Sequence, residues 1–161
     1  MNMKSSDGDT ALMTAVQLGH QNCVEELDKV AGVDFTTRNR ENESVLTVAE
    51  KMKHNSLIKY LKEKAVRLSQ VLHEACMEGN IDKVREIVKN ATYVINQCLL
   101  FGCSPLHTAM SSNNTAVVRI LLDYPSTRLD ILDSVQGSTP LHTACGANSA
   151  YLCLAMIEGA L

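Results

Sequence analysis

The chain has 161 residues, of which 45% are hydrophobic and 4% aromatic, and its net charge is −3. This composition suffices for a core of Leu, Val, Ala, Met and Cys, and the negative charge argues against a nucleic-acid partner. No apolar run reaches the roughly 18 residues that a membrane span needs. The polar start has no signal-peptide core, and six cysteines then indicate reduced thiols. We expect an intracellular protein, cytoplasmic or nuclear, without membrane insertion.

Charge is distributed unevenly along the chain. Residues 1–50 carry nine acidic and four basic side chains, whereas residues 51–67 carry six basic ones and only Glu63. A basic segment of this kind is typical of a solvated helix face. The alternative is a docking patch for an acidic partner.

A leucine followed three residues later by an alanine recurs five times. The spacings between the leucines are 34, 26, 34 and 35 residues, and the leucines are Leu12, Leu46, Leu72, Leu106 and Leu141. A period near 34 predicts an all-α array of repeated helical units, because such a unit cannot bury its apolar face alone. It argues against a single globular core.

In chain order, the first helices of the five units are predicted at 10–18, 44–52, 70–78, 104–112 and 139–147. Thr or Ser opens most of them, as expected of an N-cap. A turn then leads to a second helix whose apolar residues face the partner helix and the next unit. Four cysteines fall in these helices, where we expect them to act as small hydrophobic side chains: Cys23, Cys76, Cys145 and Cys153.

Two segments carry a shared signature, Ser104-Pro-Leu-His-Thr-Ala109 and Thr139-Pro-Leu-His-Thr-Ala144, and the segment 7–15 with Gly19 and His20 is similar. They resemble the signature of ankyrin repeats, and the resemblance extends from Asp7 to the C-terminus. It implies a solenoid of helix–turn–helix repeats joined by hairpins or loops. It also implies protein binding through the hairpin tips and first helices, with structural roles for the signature histidines.

The spacing of 26 residues between Leu46 and Leu72 departs from the family pattern, since about eight residues are missing there. No Gly or Pro occurs between Gly32 and Gly79, and the apolar residues keep one helical face through the gap. We therefore predict one continuous helix over 55–78, about 36 Å long. A short kinked loop near Lys64 is the alternative. This irregular junction would separate repeats one and two (1–64) from repeats three to five (65–161).

The loop before the fourth unit is the second departure. Its tip reads Gln97-Cys-Leu-Leu-Phe101, whereas tips in the family are usually polar. Leu99, Leu100 and Phe101 together would expose an apolar patch of the size that marks interaction sites. Alternatively, the tip folds back on the irregular junction. The loop 35–44 is polar by contrast, and Asn42 stands at the family's glycine position, where a left-handed conformation is expected.

The positions that match the family's variable contact sites, together with the apolar tip, form the predicted partner-binding surface. They are Asp9, Gln17, Leu18, Arg40, Glu41, Glu43, Lys51, Met52, Leu99, Leu100, Phe101, Cys103, Ser111, Ser112, Val135, Gln136 and Ser138. We expect the apolar tip to supply most of the affinity, because a few apolar anchors usually dominate an interface.

Nothing in the sequence indicates catalysis. Glycine-rich phosphate-binding motifs are missing, the histidines recur at equivalent repeat positions, and Cys98 and Cys103 lack the further ligands that zinc needs. We expect a non-catalytic protein-interaction module with no cofactor and no metal, whose partner is another protein. Two alternatives stay open: a regulatory or substrate-recruiting domain of a larger enzyme or channel, and a scaffold that self-associates through the apolar hairpin or the C-terminal repeat.

Overall fold

A computed structural model describes residues 3–5, 8–30, 33, 35 and 37–159, without the side chains of Leu100 and Glu158. The α-helices of this described part are α1 (Ala11–Gln17), α2 (Gln21–Asp28), α3 (Val45–Lys51), α4 (Asn55–Glu78), α5 (Ile81–Asn90), α6 (Pro105–Ser111), α7 (Thr115–Leu122), α8 (Pro140–Gly146) and α9 (Ala150–Gly159). Short 3-10 helices span Thr92–Val94 and Leu100–Gly102. The same residues contain no strand beyond an isolated bridge, so the predicted all-α class is confirmed.

The chain divides into two compact units, unit 1 (Met1–Ala65) and unit 2 (Val66–Leu161). Each unit has its own apolar core. The core of unit 1 gathers apolar residues of α1, α2 and α3 with Leu57 and Leu61. The core of unit 2 gathers those of α5 to α9 with Leu72, Ala75 and Cys76. The assignment of repeats one and two to a domain 1–64 and of repeats three to five to a domain 65–161 stays a prediction.

Helix α4 contributes to both cores. It runs from Asn55 to Glu78 without a break at Lys64, so the structure does not have the kinked loop considered as the alternative. Its first turns supply apolar residues to unit 1 and its last turns supply them to unit 2. One helix therefore serves as the second helix of the second repeat and as the first helix of the third.

The short first helices begin at capping residues. The side chains of Thr10, Ser44, Ser104 and Thr139 each accept a hydrogen bond from the backbone N–H three residues later. Such a bond satisfies a donor that the start of a helix leaves free. The helix start expected at Gln70 is wrong, because α4 passes through that position and its backbone donors are already paired within the helix.

Each turn within a helix pair contains a residue in the left-handed conformation: Gly19, Lys53, Gly79, Asn113 and Asn148. Side chains of one turn bond to the preceding repeat. Asn114 Nδ2 donates to the carbonyl oxygens of Cys76 at 2.8 Å and Met77 at 2.9 Å. His54 Nε2 lies 3.0 Å from the carbonyl oxygen of Gln17. Successive repeats of the same unit are therefore joined by polar contacts at their turns as well as by apolar packing.

Candidate functional site

In unit 1, each predicted tip lies against the C-terminal end of the helix that follows it. Gln17 Nε2 of α1 donates to Asp9 Oδ2 of the preceding tip at 2.9 Å. Lys51 of α3 forms ion pairs with Glu41 at 3.0 Å and with Glu43 at 2.9 Å. The structure thus brings together five of the predicted binding residues of this unit in two polar clusters.

The charges of these contacts affect each other. Hydrogen bonds from Lys51 and then Asn39 lower the pKa of Glu43, and those to Glu43 and Glu41 raise the pKa of Lys51. Because Lys51 and Glu41 are solvent-exposed, their pair adds little stability, whereas Glu43 is half-buried. The remaining predicted residues of unit 1 are exposed, namely Leu18, Arg40 and Met52. This surface is mainly charged, with two apolar side chains at helix ends.

Most of the basic residues of segment 51–67 have acidic partners. Besides Lys51, these are Lys59 with Glu63, Lys62 with Glu50, and Lys64 with Asp28. Lys64 is half-buried, with its ammonium 3.5 Å from the centroid of the Phe35 ring, and burial lowers its pKa to about 8. This local pairing favours a solvated helix face over a docking patch for an acidic partner.

In unit 2, the tips and first helices of repeats four and five enclose a groove of about 390 Å3. Its lining residues are Phe101, Cys103, His107, Ser111, Asp133, Val135, Gln136, Ser138, His142, Thr143 and Gly146. Six of them belong to the predicted binding surface: Phe101, Cys103, Ser111, Val135, Gln136 and Ser138. Ser112, also predicted, is half-buried at the end of α6 and does not line the groove.

The two tips beside the groove pack on each other. The N–H of Leu99 donates to the carbonyl oxygen of Cys103 at 3.1 Å and closes the first tip. The N–H of Ser134, in the second tip, donates to the carbonyl oxygen of Phe101 at 2.7 Å. A Cβ atom on Gly102 would lie only 2.9 Å from Ser134 N. The approach of the second tip therefore requires glycine at position 102.

Phe101 and Val135 are the exposed apolar side chains of the groove, each with 67% of its surface accessible. Leu99, at the base of its tip, is half-buried, and the side chain of Leu100 lies outside the described residues. Of the expected patch of three consecutive apolar side chains, exposure at Leu100 therefore stays a prediction, and only Phe101 of the other two is exposed. The apolar surface comes from two neighbouring tips, because the bond between Ser134 and Phe101 places Val135 close to the first tip.

Asp133 is a charged residue of the groove that the sequence did not reveal. Its Oδ1 accepts hydrogen bonds from the N–H groups of Gln136 at 2.7 Å and Val135 at 2.9 Å. The bond from Gln136, followed by that from Val135, lowers the pKa of Asp133, so its carboxylate is charged at neutral pH. The sequence feature that could have revealed this role is an Asp placed before a turn with a glycine. Asp side chains at such positions commonly accept hydrogen bonds from the backbone N–H groups that follow them.

Signature histidines bridge successive repeats. Nε2 of His73 lies 3.0 Å from the carbonyl oxygen of Cys103, and Nε2 of His107 lies 3.0 Å from that of Ser138. These bonds hold the tips over the first helices, which is the structural role that the resemblance implied. Nδ1 of His107 lies at the N-cap of α6, whereas Nδ1 of His73 lies 2.8 Å from the carbonyl oxygen of Ser69, because α4 has no cap there.

Among the described residues of both units, no three His, Cys, Asp or Glu side chains are grouped so as to hold a metal ion. No helix within the described part combines the length and apolar character needed to cross a membrane. The groove instead offers hydroxyl, imidazole and amide groups for hydrogen bonds, one carboxylate, and two apolar side chains for contact.

Part of the chain is similar in sequence to known proteins. Over 89 residues the chain is 37% identical to diacylglycerol kinase iota of Homo sapiens and 36% identical to that of Mus musculus, covering 53% of this chain and 8% of each relative. Over 73 residues it is 34% identical to SMC5-SMC6 complex localization factor protein 1 of Bos taurus, covering 45% of this chain and 7% of that protein. The matched region is thus less than a tenth of these relatives' length.

A family model described as ankyrin repeats in three copies matches residues 1–71 and again 72–160. The two matches meet within α4, where the repeats share one helix. Because the model covers nearly every residue and the structure has the expected capped helix pairs, this chain belongs to the ankyrin-repeat family.

Proposed function

We propose that this chain binds a partner protein through the groove of unit 2 and does so without catalytic activity. Ankyrin repeats generally bind other proteins, and stacked repeats of this kind form extended surfaces suited to that role. The observation that carries the proposal is the placement of Phe101 and Val135. Two large apolar side chains stay exposed beside a groove lined with polar groups, although the cores of the repeats do not use them.

The groove defines the chemistry of the partner. An apolar side chain placed between Phe101 and Val135 would remove apolar surface from water on both molecules, at about 25 cal/mol per Å2. A basic side chain would face the carboxylate of Asp133, which is charged at neutral pH. Cys103, Ser111, Gln136 and Ser138 would supply polar contacts around this anchor. The half-buried Leu99 and Ser112 would support the tip and the helix from behind, and Leu100 stays a predicted contact residue.

We propose the predicted residues of unit 1 as a second, polar contact surface: Asp9, Gln17, Leu18, Arg40, Glu41, Glu43, Lys51 and Met52. Five of them are exposed and five are charged, which supports contacts that orient a partner more than contacts that supply affinity. An intracellular setting, in the cytoplasm or nucleus, belongs to the same proposal. The free thiols of the described cysteines support it, since reducing compartments keep such groups unpaired.

Phe101→Asp tests the groove. Peptides selected from a phage-displayed random library on the wild-type chain serve as the probe. We expect the substitution to weaken their binding at least about tenfold, or about 1.4 kcal/mol, because it removes the aromatic anchor. The melting temperature should change little, because the ring is exposed and Asp tolerates the left-handed φ of 63° at this position.

Leu132→Asp is the matched control. Leu132 is 59% exposed and precedes Asp133, yet it does not line the groove, so its substitution should leave the affinity unchanged. Equal losses of peptide affinity in the two variants would show that the groove is not the binding site. Selected peptides whose affinity is unchanged by Phe101→Asp would show the same. A sharp fall in melting temperature with intact binding would instead make the tip part of the core.

Recruitment within a longer protein is a second candidate function. The observation that favours it is the small share of each relative, 7% to 8%, that the chain matches. An enzyme or channel of that size could use the groove to recruit a substrate or regulator. Sequencing the transcript on both sides of this region tests the idea. A catalytic or channel domain in the same reading frame would support it, and stop codons on both sides would contradict it.

Self-association is a third candidate, favoured by the apolar side chains that α9 exposes, namely Tyr151, Leu154 and Ile157. Two copies that buried these residues against each other would form a scaffold. Sedimentation over a wide range of protein concentrations tests this, since a chain that stays monomeric throughout contradicts it.

A further inference from the structure

Two cysteines of the last repeat lie close together. Cys145 of α8 and Cys153 of α9 bring their sulfur atoms to 3.4 Å from each other. Cys145 is exposed and Cys153 is half-buried. The expectation that the helical cysteines act as small hydrophobic side chains holds for the buried Cys76, but it is wrong for the exposed Cys23 and Cys145. The equivalent residue one repeat earlier, Met110, is fully buried, because α6 packs under α8, whereas no described helix covers α8 on its far side.

The backbone around this pair is held in place. The turn between the two helices is short, and the N–H of Asn148 donates to the carbonyl oxygen of Cys145 at 3.0 Å. The N–H of Cys153 donates to the carbonyl oxygen of Ser149 at 3.1 Å, within the first turn of α9. A disulfide requires the sulfur atoms to approach to about 2.05 Å. The two side chains, whose sulfur atoms lie 3.4 Å apart, would rotate to close the remaining gap.

We propose that Cys145 and Cys153 form a redox-active dithiol, which hydrogen peroxide oxidises to a disulfide within the repeat. This dithiol does not depend on the proposed partner groove. It is a modification site on α8 and α9, and it reacts with a small two-electron oxidant rather than with a macromolecule.

The two sulfur atoms have different roles. The hydrogen bond with Cys145 is the main cause that raises the pKa of Cys153, and burial adds to it. Cys153 therefore keeps its proton more readily, while the exposed Cys145 is the sulfur that peroxide can reach. Only the thiolate form of a cysteine is an effective nucleophile, so we expect peroxide to react first at Cys145.

The reaction is balanced in two steps. The Cys145 thiolate attacks one peroxide oxygen, a sulfur–oxygen bond forms, the oxygen–oxygen bond breaks, and the hydroxide released takes up a proton to give water. The product is a sulfenic acid. The sulfur of Cys153 then attacks the sulfur of Cys145, the sulfur–oxygen bond breaks, and hydroxide leaves with the thiol proton as a second water. Two thiols are oxidised and one peroxide is reduced.

Three other cysteines are less suited to this chemistry, namely Cys76, Cys98 and Cys103. Cys76 is fully buried, and burial raises its pKa to about 12. Burial also raises the pKa of Cys98 and of Cys103. Their sulfur atoms face backbone carbonyl oxygens, those of Asn96 at 3.7 Å and Phe101 at 4.0 Å. These residues supply an internal comparison within the same chain.

The test treats the reduced chain with a small excess of hydrogen peroxide, blocks the remaining thiols by alkylation, and locates the products by peptide mass spectrometry. We expect the wild type to contain one disulfide between Cys145 and Cys153, which dithiothreitol reverses. In Cys153→Ser the second step is blocked. Dimedone should then trap the sulfenic acid at Cys145 in about tenfold higher yield than in the wild type, because the intramolecular step no longer consumes it.

Cys145→Ser is the matched control, since it keeps Cys153 but removes the attacking thiolate. It should form no disulfide in this repeat and little dimedone adduct at Cys153. The proposal is overturned if wild type and Cys153→Ser yield equal amounts of the Cys145 adduct. It is also overturned if the oxidised wild type contains only disulfides between different chains, or if Cys98 and Cys103 react while Cys145 stays reduced.

Discussion

The buried thiol of Cys76 makes the stability of unit 2 depend on pH. Its side chain is fully buried in α4, and burial raises the pKa of the thiol from 9.0 to about 12. The unfolded chain therefore releases this proton at a lower pH than the folded chain does. The contribution to stability is complete below about pH 9 and is lost as the pH rises towards 12, because only the unfolded state gains from ionisation in that window.

Cys76→Ala tests this linkage. Urea unfolding of the wild type should show a free energy of unfolding that falls from pH 9 upward, with a slope of at most about 1.4 kcal/mol per pH unit from this one group. The variant should be less stable at pH 7, since it loses buried contacts, but its slope above pH 9 should be smaller. Cys98→Ala, which removes an exposed thiol, should lower the slope less than Cys76→Ala does. Equal slopes for all three chains would contradict the assignment.

Individual residues also show what could be predicted. The left-handed conformation at Asn42 follows from its place in the family pattern, and φ is 61° there. The same conformation at Phe101 could not be predicted, because it depends on the bond that its carbonyl group accepts from Ser134 in the next repeat. Asp133 was missed for a related reason, since its role rests on backbone donors that only the folded tip places around it.

Among the elements, α4 shows both the strength and the limit of pattern reasoning. The lack of Gly and Pro between Gly32 and Gly79 and the steady apolar face indicate a helix over 55–78, and the structure has that helix. The repeat signature also predicted a new helix start at Gln70, where there is none. Local signatures describe a preferred start, but a chain with no breaker keeps its helical hydrogen bonds and continues.

The contact between the tips of repeats four and five leads to a prediction at this scale. Gly102 and Gly137 both have a positive φ, 70° and 64°, but a Cβ at Gly102 would meet Ser134 whereas a Cβ at Gly137 would meet nothing within 4 Å. Gly137→Ala should therefore cost only the conformational term, about 1 kcal/mol. Gly102→Ala should cost about 1 kcal/mol more, since the hydrogen bond between the tips is also lost.

Urea unfolding of the two glycine variants measures the difference directly, with peptide binding as a second readout. Gly102→Ala should also weaken the library-selected peptide, because Phe101 and Val135 would no longer share one rim. Gly137→Ala should bind it normally. Equal costs for the two substitutions would show that the tips do not depend on this close approach.

For the molecule as a whole, the repeat period predicted the all-α fold, and the resemblance of two segments to the ankyrin signature implied the family. The capped helix pairs and the family model confirm both. For the binding surface, the sequence predicted which positions contribute but not how their side chains are arranged in space. Repeat spacing identifies equivalent residues, but it does not say that Phe101 and Val135 share a groove while Leu99 is half-buried. The close pair Cys145 and Cys153 was missed because the two residues belong to different helices and meet only across the turn.

The central proposal for the whole molecule is that unit 2 binds a partner in the groove beside Phe101 and Val135. Two-dimensional amide NMR of the wild-type chain, titrated with the library-selected peptide, tests this proposal most directly. We expect the largest shifts at amides of 101–111 and 133–146, with their saturation following one binding curve. Largest shifts within α1 and α2, or along α9, with the groove amides unchanged, would contradict the claim.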